Sequence, residues 1–214
     1  VATSETAIRT VICQQRTLFN CGFEKTDTTL CGMKHQVSPT EDDDFAWTLN
    51  DGETANRDYL ETGAPLSNNY MYIESSPSTE GFVGQSPGDR AIISTPAIQG
   101  EPGEAIGFSF DHYMYGEDTG KLIVQLQPVD LTQPPVQIFS REGEQQTSRD
   151  PWESSKILLP SDLNGGAYYV QFVGEIKGDE STPDISHYRG DTSIGNIEIT
   201  ASGSDSGSEF MSSF

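Results

Sequence analysis

AIGFSFDHYMY, residues 105–115, is the run whose reading decides the fold class. Its side chains alternate: Phe108, Phe110, His112 and Met114 fall on one face, and Ser109, Asp111, Tyr113 and Tyr115 on the other. A period of two is the period of a β-strand with one face turned to a core. Residues 167–175 repeat the pattern, with Tyr168, Val170 and Phe172 on one face. Working outward, further short alternating runs lie at Thr10–Ile12, Phe45–Leu49, Tyr70–Glu74, Ala91–Ser94, Lys121–Gln127, Val136–Ser140, Glu153–Leu159 and Gly195–Thr200. Turn-forming clusters separate nearly all of them, among them Asn50-Asp51-Gly52, Pro87-Gly88-Asp89, Pro134-Pro135 and Asn164-Gly165-Gly166. No sustained helical period competes. The expectation is an all-β chain built as a sandwich or jelly roll.

Composition agrees with a folded, water-facing domain. Of 214 residues only 34% are hydrophobic, yet Trp 2, Tyr 8 and Phe 10 are spread along the chain, which a disordered sequence would lack. Thirty-three acidic residues against 12 basic ones give a formal charge of −21. That charge repels nucleic acid and anionic membranes, so neither is expected as a partner. No run is long and apolar enough for a membrane helix, and insertion into a membrane is not expected. From residue 201 the chain reads ASGSDSGSEFMSSF, a flexible Ser/Gly-rich tail, and residues 1–18 read as a mostly polar extension, leaving 19–200 as the domain.

An ordered set of short motifs then points to a family. Phe19-Asn20-Cys21-Gly22-Phe23-Glu24 precedes Leu30-Cys31-Gly32; Asp42-Asp43-Asp44-Phe45-Ala46-Trp47 is an acidic run ending in Phe-x-Trp; Thr62-Gly63-Ala64-Pro65, Tyr70-Met71-Tyr72-Ile73-Glu74 and His112-Tyr113-Met114-Tyr115-Gly116 follow. Downstream come Gly120-Lys121-Leu122-Ile123-Val124, Trp152, Val170-Gln171-Phe172-Val173-Gly174 and Tyr188-Arg189-Gly190-Asp191. In content and order these resemble the MAM domain of meprins, neuropilins and receptor tyrosine phosphatases over roughly residues 19–199. The resemblance implies a jelly-roll β-sandwich of two antiparallel sheets, an extracellular location, and a non-catalytic role in association with a protein partner or a second copy, as in adhesion or matrix assembly. It also implies a disulfide between Cys21 and Cys31. Two departures stand out: Gly107 occupies the place of the family's third cysteine, and Gly195-Asn196-Ile197 that of its Asp-Asp-Ile.

The resemblance further implies a structural Ca²⁺ at Glu24, Asp43, Asp44 and Asn196, a set of oxygen donors of the kind that this hard cation takes. Cys13 has no counterpart in the family and is the candidate for a bridge to a second chain. Arg189-Gly190-Asp191 could present a cation and a carboxylate to a receptor, although its Gly-Asp also coincides with a family motif. Gly84-Gln85-Ser86-Pro87-Gly88 has the spacing of a nucleophile elbow, but Pro87 lacks the N–H that would serve as oxyanion donor, so a turn is expected. His35, His112 and His187 lie far apart beside no nucleophile, and His112 reads as a core histidine. No sequon for N-glycosylation is present. The alternative function is a carbohydrate-binding jelly roll that stacks sugars on exposed tyrosines such as Tyr113 and Tyr115.

Overall fold

The computed structural model describes residues 14–24, 29–35, 43–51, 69–73, 85–147, 150–159, 166–177 and 190–203. Among them the chain forms twelve strands: β1 Gln14–Cys21, β2 Lys34–His35, β3 Thr48–Asn50, β4 Tyr70–Ile73, β5 Arg90–Ser94, β6 Ile98–Gln99, β7 Ala105–Tyr115, β8 Lys121–Pro128, β9 Val136–Glu142, β10 Glu153–Leu158, β11 Ala167–Glu175 and β12 Asp191–Gly203. Two six-stranded sheets result. The first runs β10-β7-β12-β4-β3 with β1 also on β12, and the second runs β2-β5-β11-β8-β9 with β6 also on β11. All strand pairs are antiparallel, so the expected sandwich of two antiparallel sheets is what the chain forms.

The alternation of 105–115 places the core. Phe108, Phe110, His112 and Met114 are buried, and the ring of Phe110 meets Phe172 of β11 edge-on, with centroids 5.3 Å apart. Leu122, Val124 and Leu126 of β8 and Ile194, Ile197 and Ile199 of β12 complete the space between the sheets. Each such side chain contributes about 1.5–3 kcal/mol through removal from water. Trp47 adds its indole to this core and donates its Nε1–H to the Ala91 carbonyl at 3.0 Å, while Phe45 packs half-buried beside it. Gly116, which ends β7, has φ +111°, the left-handed conformation that glycine adopts without steric cost.

β12 has two different neighbours along one edge. Residues 192–194 pair with β4, and residues 197–203 with β1. The changeover falls at a register shift between Gly195 and Glu198, where Asn196 has φ +46°. Asparagine is among the few residues that tolerate this region, because its short side chain bonds locally. Here its Nδ2 donates to Asp111 Oδ2 at 2.6 Å.

Three short or polar strands, β1, β2 and β6, have no clear alternation in the sequence. β1 opens with Gln14-Gln15-Arg16-Thr17, whose backbone is in the ladder. Residues 14–18, read as part of an extension, and 201–203, read as the start of a tail, therefore belong to the first sheet. The Thr10–Ile12 run lies outside the described residues.

Candidate functional site

Alternation has a second consequence: the residues of the first sheet that do not face the core share its outer face. In register, Tyr113 of β7 lies opposite Ser193 of β12, and Ser193 lies opposite Tyr72 of β4. Tyr70, Tyr72, Tyr113, Tyr115 and Trp152 gather there into a cluster separate from the core. The indole of Trp152 meets Tyr70 with ring centroids 5.5 Å apart and Tyr113 with centroids 5.8 Å apart. Gly195 lies beneath it: a Cβ there would stand at ordinary contact distance, 3.8 Å, from the Trp152 ring. Where the family resemblance places a carboxylate, this chain seats an indole.

Tyr113 is 1% exposed, which corrects the expectation that it offers a free ring to a sugar. Trp152 covers it, and its hydroxyl donates to the Thr147 carbonyl at 2.6 Å. Tyr70 is similarly enclosed and accepts the Asn50 amide at 2.8 Å. Burial pushes both phenols up to about 12, so they stay neutral hydrogen-bonding groups. Tyr72, Tyr115 and Trp152 are half-buried and form the accessible part of the cluster. Alternation places Tyr115 on this face, whereas nothing in the flanks of Trp152 signals one.

Below the aromatics, Asp111 accepts hydrogen bonds from Ser154 and from Asn196. Beyond Asp111 the face opens into a groove of about 370 Å³ floored by Gly107 and Ser109 and walled by Lys156, Leu158, Glu198 and Thr200. Gly107 is the position of the family's third cysteine, so the groove lies where that sulfur would stand.

The residues proposed for calcium sit otherwise. Asp43 Oδ1 accepts the Ile92 N–H at 2.8 Å and Asp44 Oδ2 the Arg90 N–H at 2.9 Å, which fastens the acidic run along β5. Glu24 is exposed, and Asn196 is engaged with Asp111 on the outer face of the first sheet. Among the described residues no three His, Cys, Asp or Glu side chains come together in a way that could hold a metal ion, so Glu24, Asp43 and Asp44 are not gathered into one cage.

Cys21 and Cys31 are bonded, which ties β1 to the 3₁₀ turn Leu30–Gly32. Closing a loop of this length contributes about 2–3 kcal/mol. Cys13, Arg189 and His187 lie outside the described residues. Gly190 is buried against the backbone of Asp118 and Thr119, and Asp191 begins β12, so two of the three residues of Arg-Gly-Asp serve the sandwich itself. Ser86 and Asp89 close a turn through two mutual hydrogen bonds, with Gly88 at φ +89°, which accounts for the elbow-like spacing. His112 is fully buried between Phe110 and Phe139; its Nε2 shares a hydrogen bond with Ser155 Oγ at 3.1 Å.

The model of the family described as "MAM domain, meprin/A5/mu" matches residues 21–201. The chain belongs to the MAM family. MAM domains are extracellular modules of an adhesion type, and they are non-catalytic. No helix among the described residues is long and apolar enough to cross a membrane. Among solved structures, this MAM domain is similar to a cleaved adhesin domain of Lys-gingipain from Porphyromonas gingivalis, at 14% identity, 86% coverage of this chain, 99% of the other and a TM-score of 0.51. A second cleaved adhesin domain of Lys-gingipain matches at 12% identity, 85% and 98% coverage, and a TM-score of 0.52. A xylan-binding domain from Paenibacillus barcinonensis overlaps less well, at 11% identity, 88% and 96% coverage, and a TM-score of 0.43. At these identities the likenesses concern the sandwich fold alone.

Proposed function

We propose that this MAM domain is a secreted, non-catalytic module that joins proteins outside the cell, through a homotypic contact or as part of an adhesive or matrix assembly. The observation that carries the reading is the family match across residues 21–201. The structure supplies compatible surfaces: among the described residues β9 and β10 are sheet edges, and Leu131, Val136 and Leu158 are large apolar side chains exposed on or near them. Exposed edges with apolar neighbours are where another chain can add.

Sedimentation of the purified chain over a range of concentrations tests the homotypic form. Association that grows with concentration is expected, and a monomer throughout would overturn it. Reductant adds a second arm: a dimer held by Cys13 falls to monomer when reduced, whereas a monomer in both conditions removes that bridge.

Calcium is a separate proposal, supported by the family resemblance and by the charge of −21. Binding would have to draw Glu24 and Asp44 toward one another. A cation that binds only the folded chain raises its melting midpoint, so millimolar Ca²⁺ is expected to shift the midpoint upward relative to chelator. Equal midpoints would rule calcium out as a structural ion of this domain.

A further inference from the structure

We propose that the outer face of the first sheet is a binding trough for a neutral oligosaccharide, running from Trp152 to the groove over Gly107. Successive outward positions follow from the register. Ser154 pairs with Asp111, Lys156 with Ser109 and Leu158 with Gly107, and Trp152 stands one step further along, against Tyr113. Six residues at about 3.3 Å each make the trough about 20 Å long, enough for a chain of several sugars.

Its chemistry changes along its length. One end is aromatic, with Trp152 and Tyr115 half-exposed. The middle holds the Asp111 carboxylate, oriented by Ser154 and Asn196, an acceptor suited to paired hydroxyls. The far end is a groove of about 370 Å³ with a floor of Gly107 and Ser109, polar walls at Lys156, Glu198 and Thr200 and an apolar one at Leu158. Stacking surface followed by dense hydrogen-bonding groups over a flat floor matches a sugar ring, which is apolar on its faces and hydroxylated on its rim.

An independent observation points to the same face. Ser193 is 0% exposed, its Oγ has no hydrogen-bond partner among the described residues, and its register between Tyr72 and Tyr113 aims it to the outer side. Buried hydroxyls are almost always satisfied, so an orphan marks a place where a ligand or a water donates. A protein partner fits less well, because the cores of protein interfaces are depleted in charge, and Lys156 and Glu198 wall this groove. The net charge of −21 selects neutral sugars over sulfated or uronic ones.

The test is tryptophan fluorescence of the intact chain titrated with xylohexaose, cellohexaose, mannohexaose, laminarihexaose and, as a polyanion, heparin. Trp47 is buried in the core, so a signal reports Trp152. Saturable binding of at least one neutral hexaose and none of heparin is expected. Trp152→Ala removes the fluorescent reporter, so the variants are read by calorimetric titration: Trp152→Ala should weaken that binding about tenfold, and Asp111→Asn several-fold, with the melting midpoint of Asp111→Asn near that of the unmodified chain. If Trp152→Ala fails to fold, Asp111→Asn and calorimetric titration carry the test. Silence toward every neutral hexaose at millimolar concentration overturns the proposal, as does binding unchanged in Asp111→Asn or a preference for heparin. Self-association by sedimentation is read separately, so loss of one property leaves the other measurable.

Discussion

At Gly120 and Gly190 the chain has no room for a methyl group. A Cβ on Gly120 would stand 1.8 Å from the Glu175 carbonyl oxygen, and one on Gly190 2.2 Å from the Thr119 nitrogen. Both obstacles are backbone and cannot rotate away. Gly120→Ala and Gly190→Ala are each expected to lower the unfolding free energy by more than about 3 kcal/mol in guanidinium titrations, or to yield no folded protein. Gly195→Ala, which meets only the Trp152 and Tyr70 side chains at ordinary contact distance, should stay within about 0.5 kcal/mol of the parent. His112 gives a second prediction at this scale. Burial holds its pKa below the ordinary 6.5, against the opposing pull of Glu153. The unfolded chain therefore takes up the proton at a pH where the folded chain does not, so stability is complete above about 6.5 and falls as the pH drops below it. Urea midpoints at about pH 7.5 and 5.5, both above the ordinary carboxylate range, should show this loss, and His112→Gln should show less of it. Of these residues only His112 was legible in the sequence, because alternation assigns a face. The glycines' neighbours are set by which strands come together, which no local pattern states.

The twelve strands differ in how visible they are before folding, and the difference is physical. β7 buries the face of Phe108, Phe110, His112 and Met114, so its sequence carries a period of two. β11 shows that period in Tyr168, Val170 and Phe172, although both of its faces are buried from Val170 to Gly174. β1 has only Leu18, Phe19 and Cys21 to bury, and its first half is held by the ladder with β12 from Gln14↔Gly203 onward. The backbone provides that pairing whatever the side chains are. Deleting residues 1–18 should accordingly do more than trim an extension: it removes five of the eight residues of β1 and leaves the N–H and C=O groups of β12 between Thr200 and Gly203 without their partners in β1. A fall of several degrees in the melting midpoint is expected, and an unchanged midpoint would show that β1 contributes through Phe19 and Cys21 alone. The bulge of β12 was not readable: residues 195–200 read as one short strand, and the changeover from β4 to β1 at Gly195-Asn196 is a property of three strands at once.

For the molecule as a whole, strand alternation and ordered motifs sufficed to place the sandwich, because both report burial, and the removal of apolar surface from water is what chiefly drives folding. The outer face of the first sheet was only half legible. Tyr113 and Tyr115 were assigned to it correctly by parity, yet whether a ring on that face is open or covered depends on Trp152, which arrives from another part of the chain. The carboxylates expected to hold a cation were legible as an acidic run, but not their other use among the described residues. A carboxylate near a strand end has a ready use as an acceptor for backbone N–H groups, and Asp43 and Asp44 are put to that use.

The strand order also constrains the sequence of events as the chain leaves the ribosome. β11 and β12 are the hubs of the two sheets: β12 carries β7, β4 and β1, and β11 carries β5, β6 and β8. Until they are synthesised, the other strands can form only isolated pairs such as β7 with β10, β3 with β4 and β8 with β9, each with one apolar side uncovered. Two-stranded pieces are marginal in water. The earlier strands of this domain must therefore wait, unclosed, for residues 167–203, and a high density of like charges is well suited to keeping such a nascent domain from sticking to its neighbours.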